Sequence, residues 1–224
     1  MGFKEFLFGD KTADTLLVQM VDDHDLEFIG REVSFIRELS DGKDFCLKAF
    51  RVNSWNRDLS PWPAPAVFSS EGFGGGAAET LDCLLKAIPD RNDTAGMKED
   101  GSKGYQRIFI GGYSLAGLFA LWAGYNTDRF SGIAAASPSV WFPGFTDYMG
   151  RNTLYAESVY LSLGDREEKT KNPVMARVGD AVREGYAQIK SEGKDSILEW
   201  NQGNHFKKPD LRTAKAFAWL MNLK

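Results

Sequence analysis

Histidine and cysteine are scarce in this chain, two of each in 224 residues. Cys46 and Cys83 show neither metal-ligand nor redox spacing, and a disulfide-held secreted scaffold would carry more of them. Both read as small buried hydrophobes. His24 and His205 lie far apart, so no usual ligand set assembles, and neither metal nor cofactor is expected. No stretch approaches the ~20 apolar residues that span a bilayer. The opening MGFKEFLFGDKTAD has no long apolar run and no small-residue cleavage site, so the expectation is a cytoplasmic protein without a membrane partner. Basic clusters are missing as well. With 27 Lys and Arg against 31 Asp and Glu, nucleic acid is an unexpected partner. What remains is a globular composition, 43% hydrophobic and 26% charged, at a length that suits a single domain over residues 1–224.

Segments rich in β-formers alternate with helical patterns, which predicts a mostly parallel central sheet with helices on both faces. Strands are expected at Thr15–Val21, Phe45–Val52, Arg107–Gly111, Gly132–Ala136, Val159–Leu163 and Ser196–Trp200. Helices are expected at Asp22–Leu39, at 77–88, directly after Gly111, at Pro173–Ile189 and from about Asp210. Asn53–Ser70 holds prolines at 61, 63 and 65 and reads as a stiff irregular loop, since proline blocks both ladder and helix. Asp90–Gly104 is polar and reads as a mobile surface loop.

The strongest chemical signal is Gly112-Tyr113-Ser114-Leu115-Ala116-Gly117, set between a strand and an apolar helix. A sharp strand-to-helix turn lifts a serine hydroxyl above a sheet and requires small residues two before and two after it, here Gly112 and Ala116. A nucleophilic serine needs a base. Where a serine sits on such a turn the partners follow in the order serine, acid, histidine. His205 fills the last slot, after the last predicted strand and before the last helix, whereas His24 falls at a charged helix start. The acid belongs after Tyr160–Gly164, where Asp165, Glu167 and Glu168 compete. Glu167, third after the glycine, is the first choice, with Asp165 and Glu168 in reserve.

An oxyanion hole needs two N–H donors: Leu115 supplies one, and Trp55 or Asn56, in the loop after an earlier strand, the other. Trp62, Tyr113, Trp141, Phe142 and Phe206 are candidates for an apolar substrate pocket. Gly72-Phe73-Gly74-Gly75-Gly76-Ala77 matches a dinucleotide fingerprint on paper. No strand precedes it, so the glycines read as a close-packed helix entry.

The strings GGYSLAGLFALWAG, AAASPSVWFPGF, YLSLGDREEKTKNPVM and WNQGNHFKKPDLRTAKAFAWLM together resemble the esterase D-like branch of the α/β-hydrolases, which includes siderophore esterases. The likeness runs from about residue 45 to the C-terminus. It implies an α/β-hydrolase fold without a separate lid domain. It also implies hydrolysis of a small-molecule carboxylic ester through a Ser114 acyl-enzyme, with His205 as general base and an orienting acid from 165–168. An acyltransferase using the same residues and a non-catalytic binding module on the same fold are the rival readings. Exposed sheet edges leave room for a homodimer.

Overall fold

Unbroken apolar runs, rather than alternating ones, mark strands covered on both faces. All seven residues of Thr15–Val21 and all five of Gly132–Ala136 are buried. The computed structural model describes residues 2–67, 70–90 and 104–223. In chain order the elements are β1 (Lys4–Gly9), β2 (Thr15–Val21), α1 (Asp23–Leu39), β3 (Cys46–Arg51), α2 (Trp55–Asp58), β4 (Pro63–Ala64), β5 (Phe73–Gly74) and α3 (Ala77–Ala87). Then come β6 (Arg107–Tyr113), α4 (Leu115–Gly124), β7 (Gly132–Ala136), α5 (Phe145–Arg151), β8 (Ser158–Gly164), α6 (Val178–Ser191), β9 (Asp195–Asn201) and α7 (Pro209–Asn222).

The main sheet runs β1-β3-β2-β6-β7-β8-β9, and β1 alone is antiparallel to its neighbour. Helices α1 and α7 pack together on one face, over a cluster that includes Leu17, Phe109, Tyr160 and Phe217. The larger core lies on the other face, beneath α3, α4 and α6. Every residue of α4 is buried, as a helix apolar on all sides requires. No helix among the described residues is long and apolar enough to cross a membrane.

Four elements differ from the sequence expectation. Strand β1 is half-exposed at the sheet edge and carries no continuous apolar signal. Helix α5 has seven residues, too few to show a helical period. Helix α6 starts at Val178, because Pro173 lies ahead of a separate 3₁₀ turn, Met175–Arg177. The proline-rich loop is more regular than expected: it holds the single turn α2, and Pro63–Ala64 pairs antiparallel with Phe73–Gly74. Two residues at an isolated edge leave the missing proline N–H without consequence. The glycines in and after β5 are tightly packed: a Cβ on Gly74 would lie 2.5 Å from Arg57, and one on Gly76 2.8 Å from the Arg57 carbonyl oxygen. Cys46 is buried, but Cys83 is only half-buried; both are free thiols. The polar loop expected at 90–104 lies almost wholly outside the described residues.

A cluster of charged side chains interrupts the face shared by α1 and α7. Asp22 and Asp25 close a reciprocal cap at the start of α1, and Arg31 pairs with buried Asp210 at the start of α7. Glu32, 6% exposed, is pushed well above its ordinary value by burial and by the charge of Asp25. Folding therefore favours its protonated form. That contribution is complete below the unfolded value of 4.5 and is lost as pH rises through the higher folded value. Glu32→Gln is expected to raise the melting temperature at pH 8, with the gain shrinking toward pH 4.5. Every tenfold difference in proton affinity between the folded and unfolded chain is equivalent to about 1.4 kcal/mol. A melting difference that does not change with pH would sink this assignment.

Candidate active site

Adjacent parallel strands β6, β7, β8 and β9 end side by side, and their exits carry a continuous polar cluster. Ser114 follows β6, Ser137 follows β7, Glu167 follows β8 and His205 follows β9. In open α/β sheets this C-terminal edge is where ligands bind.

Ser114 has φ 57° and ψ −118°, a left-handed geometry that costs a non-glycine residue on the order of 1–3 kcal/mol. Three hydrogen bonds impose it. The Ser114 N–H donates to the Ala136 oxygen at 3.1 Å, and the Ser114 carbonyl accepts from the N–H groups of Leu118 and Ser139, each at 3.0 Å. The turn tolerates only small neighbours. A Cβ on Gly112 would lie 2.6 Å from the Ala116 Cβ. Gly112→Ala is therefore expected to cost about 1–3 kcal/mol in denaturant unfolding, and adding Ala116→Gly should recover part of that loss. Equal stability of the single and double variants would remove this packing account.

The Ser114 Oγ lies 3.0 Å from His205 Nε2, and His205 Nδ1 lies 2.7 Å from Glu167 Oε2. Glu167 opens a 3₁₀ turn, Glu167–Lys169, that points its side chain inward; it is 7% exposed. Burial alone would raise its pKa. Hydrogen bonds and charge from His205, with donors from the Gly164 N–H at 2.7 Å and the Ser137 Oγ at 2.8 Å, more than offset this and hold it below the ordinary carboxylate value. With Glu167 ionised, the hydrogen-bond pattern puts the ring proton on Nδ1 and leaves Nε2 to accept from Ser114. The competing carboxylates are committed elsewhere. Asp165 accepts from the Gly203 N–H at 2.7 Å, and Glu168 pairs with Arg183 at 3.1 Å. His24 is a surface residue 3.6 Å from Glu27.

Four participants carried no catalytic signal in the sequence. Arg212, 2% exposed in the first turn of α7, donates to Glu167 Oε1 at 2.7 Å, to Ser137 Oγ at 3.1 Å and to the Tyr113 hydroxyl at 3.0 Å. Its second nitrogen reaches the Asn204 oxygen at 3.0 Å and the Gln202 oxygen at 3.3 Å, fixing the loop that holds His205. Ser137 bridges Arg212 and Glu167, and the Ser139 Oγ lies 3.3 Å from Ser114 Oγ. Tyr113, read from sequence only as a pocket residue, donates its hydroxyl to the His205 carbonyl at 2.6 Å. Burial, followed by the charge of Glu167, raises that phenol to about 12, so it remains a donor. An arginine in the first turn of a helix otherwise reads as surface charge; its partners lie 45 and 99 residues away.

No family model and no curated protein matches this sequence. Solved structures do. A serine hydrolase described as IroE-like, from Shewanella oneidensis, superposes with a TM-score of 0.74 at 15% identity, over 98% of this chain and 75% of its own. The siderophore hydrolase EstA of Aspergillus nidulans gives 0.70 at 16% identity, over 99% and 90% of the two chains. A Bacillus cereus carboxylesterase gives 0.60 at 15% identity, over 98% and 94%. The fold is that of the α/β-hydrolases. At such low identity the likeness is one of architecture, and chemistry has to be argued from this chain's own residues.

Within this fold the expected pocket aromatics separate. Trp141 and Phe206 line a cavity of about 280 Å³ beside His205 and Glu167. Phe142 does not: it is 1% exposed and packs against Trp62 and Phe73 in the core, because neighbouring residues of that turn face opposite ways. Trp62 is half-buried, and its indole N–H donates to the Pro143 oxygen at 3.0 Å. Trp55 packs against the larger core, and Asn56 is buried with its amide nitrogen 3.5 Å from the Glu71 oxygen. The N–H groups of Asn53 and Ser54 are both taken by Asp58, at 3.1 and 2.9 Å. Strand β2 lies between β3 and β6, so the exit of β2, at the first turn of α1, is nearer to the serine strand than the loop after β3.

Proposed function

We propose that the protein is a serine esterase, with Ser114 as nucleophile, His205 as general base and Glu167 as the orienting acid. The observation that carries this reading is the unbroken hydrogen-bonded line from Ser114 Oγ through both ring nitrogens of His205 to a buried, ionised Glu167. Its serine is held in the strained turn that such chemistry uses. That structural neighbours include a siderophore hydrolase and a carboxylesterase supports an ester as the substrate.

In this mechanism His205 Nε2 takes the Ser114 proton as Oγ attacks the ester carbonyl. The negative oxygen faces the N-terminus of α4, where the Leu115 N–H and the helix dipole stabilise it. The second donor is a first-turn amide of a neighbouring helix. Trp55 and Asn56 at the start of α2 are candidates, and the strand order adds Asp23 and His24 at the start of α1. His205 then protonates the leaving alcohol and later activates water, which releases the acid and frees Ser114. Glu167 balances the imidazolium throughout, and Arg212 and Ser137 hold Glu167 in place.

A fluorophosphonate probe with a series of short p-nitrophenyl esters tests the proposal. Labelling confined to Ser114, accompanied by ester turnover, is the expected outcome. Absence of both in folded protein would overturn it. Adding acceptor alcohols to the same assay distinguishes hydrolysis from acyl transfer, since transfer yields a new ester in place of free acid.

A further inference from the structure

We propose that the cavity beside His205 receives the alcohol portion of the ester, and that Arg166 and Lys169 select alcohols bearing a carboxylate. This inference rests on the serine esterase reading and names its substrate class. His205 must hand a proton to the departing oxygen, so the leaving group lies on the imidazole side of Ser114. The cavity adjoins the imidazole: His205, Glu167 and Ser137 are among the residues that line it. Its volume of about 280 Å³ leaves room for a substituted aromatic ring.

The chemistry of the walls is two-fold. Trp141, Met175, Val178 and Phe206 supply apolar surface, and Phe206 is 84% exposed directly beside the general base. An aromatic side chain so open makes little packing contribution to the fold and is available to a ligand. Arg166 and Lys169 supply positive charge at the same cavity. Neither is ion-paired among the described residues, because each nearby carboxylate has another partner: Asp165 the Gly203 N–H, Glu167 His205 and Arg212, and Glu168 Arg183. Their backbones are fixed. The Arg166 N–H donates to the Gly203 oxygen at 3.1 Å, and the Lys169 N–H donates to the Arg166 oxygen at 3.2 Å. Two cations that make no ion pair among the described residues stand on one turn at the cavity, in a chain of net charge −4, and together complement one anionic group. An apolar body carrying a carboxylate matches both halves of the wall.

The reaction is ordinary hydrolysis. The acyl carbon–oxygen bond breaks, water's hydroxyl goes to the acyl carbon and its proton to the alcohol oxygen. The products are a carboxylic acid, which ionises at neutral pH, and a hydroxycarboxylate.

The test compares 4-acetoxybenzoate with 4-acetoxybenzamide, which share acyl group and ring and differ in charge, each rate normalised to its hydroxide-catalysed hydrolysis. Wild-type protein should favour the carboxylate by about ten-fold in kcat/KM, the equivalent of about 1.4 kcal/mol. Arg166→Gln with Lys169→Gln should bring the ratio close to one, and 1 M NaCl should compress it in the wild type. Lys190→Gln, a charge change in the last turn of α6, should preserve the ratio. A wild-type ratio at or below one, or a ratio the double variant leaves intact, overturns the proposal. Fluorophosphonate labelling of Ser114 with no charge preference would defeat this selectivity alone. No labelling and no turnover would defeat the esterase reading and this inference with it.

Discussion

Alanine at Ser114, or at His205, should lower turnover of short p-nitrophenyl esters by about 10⁴–10⁶-fold. Each removes a partner from a relay whose members act as a unit, so the double variant should be little worse than either single one. The residual rate would come from binding and the oxyanion donors. Ser114→Ala leaves the strained turn in place, since alanine meets the same φ of 57° and the backbone bonds from Ala136, Leu118 and Ser139 remain. Melting temperature should therefore change little, which separates loss of chemistry from loss of fold. His24→Ala serves as the control, because that side chain sits at the surface beside Glu27. Full turnover in either Ser114→Ala or His205→Ala would end the case for this site.

Methionine in place of Arg212 should cost about 3–5 kcal/mol of stability and roughly 10²-fold in turnover. The guanidinium is buried with Glu167, and removing it leaves that carboxylate facing Ser137 and His205 without a permanent counter-charge. Two loop carbonyls, Gln202 and Asn204, lose their donor at the same time, and the His205 loop loses its anchor to α7. For a chain of this length the melting temperature should fall by about ten degrees. Arg212→Lys separates charge from geometry. It retains a cation but cannot reach Glu167, Tyr113 and two carbonyls at once, so it should restore more stability than activity. Unchanged melting and unchanged kcat in Arg212→Met would show that the network is ornamental.

The frame of this protein is written in apolar runs that need no partner to be recognised. Strands β2, β7 and β8 are mostly apolar and buried almost throughout, and α4 is apolar on every side. Glycine and alanine at 112 and 116 announce the serine turn, since the Cβ separation there leaves no room for more. The opposite holds for charge. Asp165, Glu167 and Glu168 are equivalent on paper, and only the direction of a 3₁₀ turn decides which faces inward. Arg212 is a cation among surface-like residues until α7 is laid across β6, β7 and β8. Trp141 and Phe142 divide between cavity and core for the same reason, because adjacent residues in a turn face opposite sides. Short elements such as α5 offer too few positions for any period to emerge.

The dependence of the site on α7 has a consequence for synthesis. The serine strand and its helix are complete once residue 124 has been made, whereas the arginine that locks the histidine loop arrives only at residue 212, inside the last helix. Helix α7 also covers three central strands and packs along α1, which is made well before it. Under the proposed mechanism, a chain still being translated carries Ser114 without the framework that orients His205 until α7 is made. Under that mechanism the site is complete only when α7 closes over the sheet, and a polypeptide cut short before Pro209 holds Ser114 without the arginine that anchors the His205 loop.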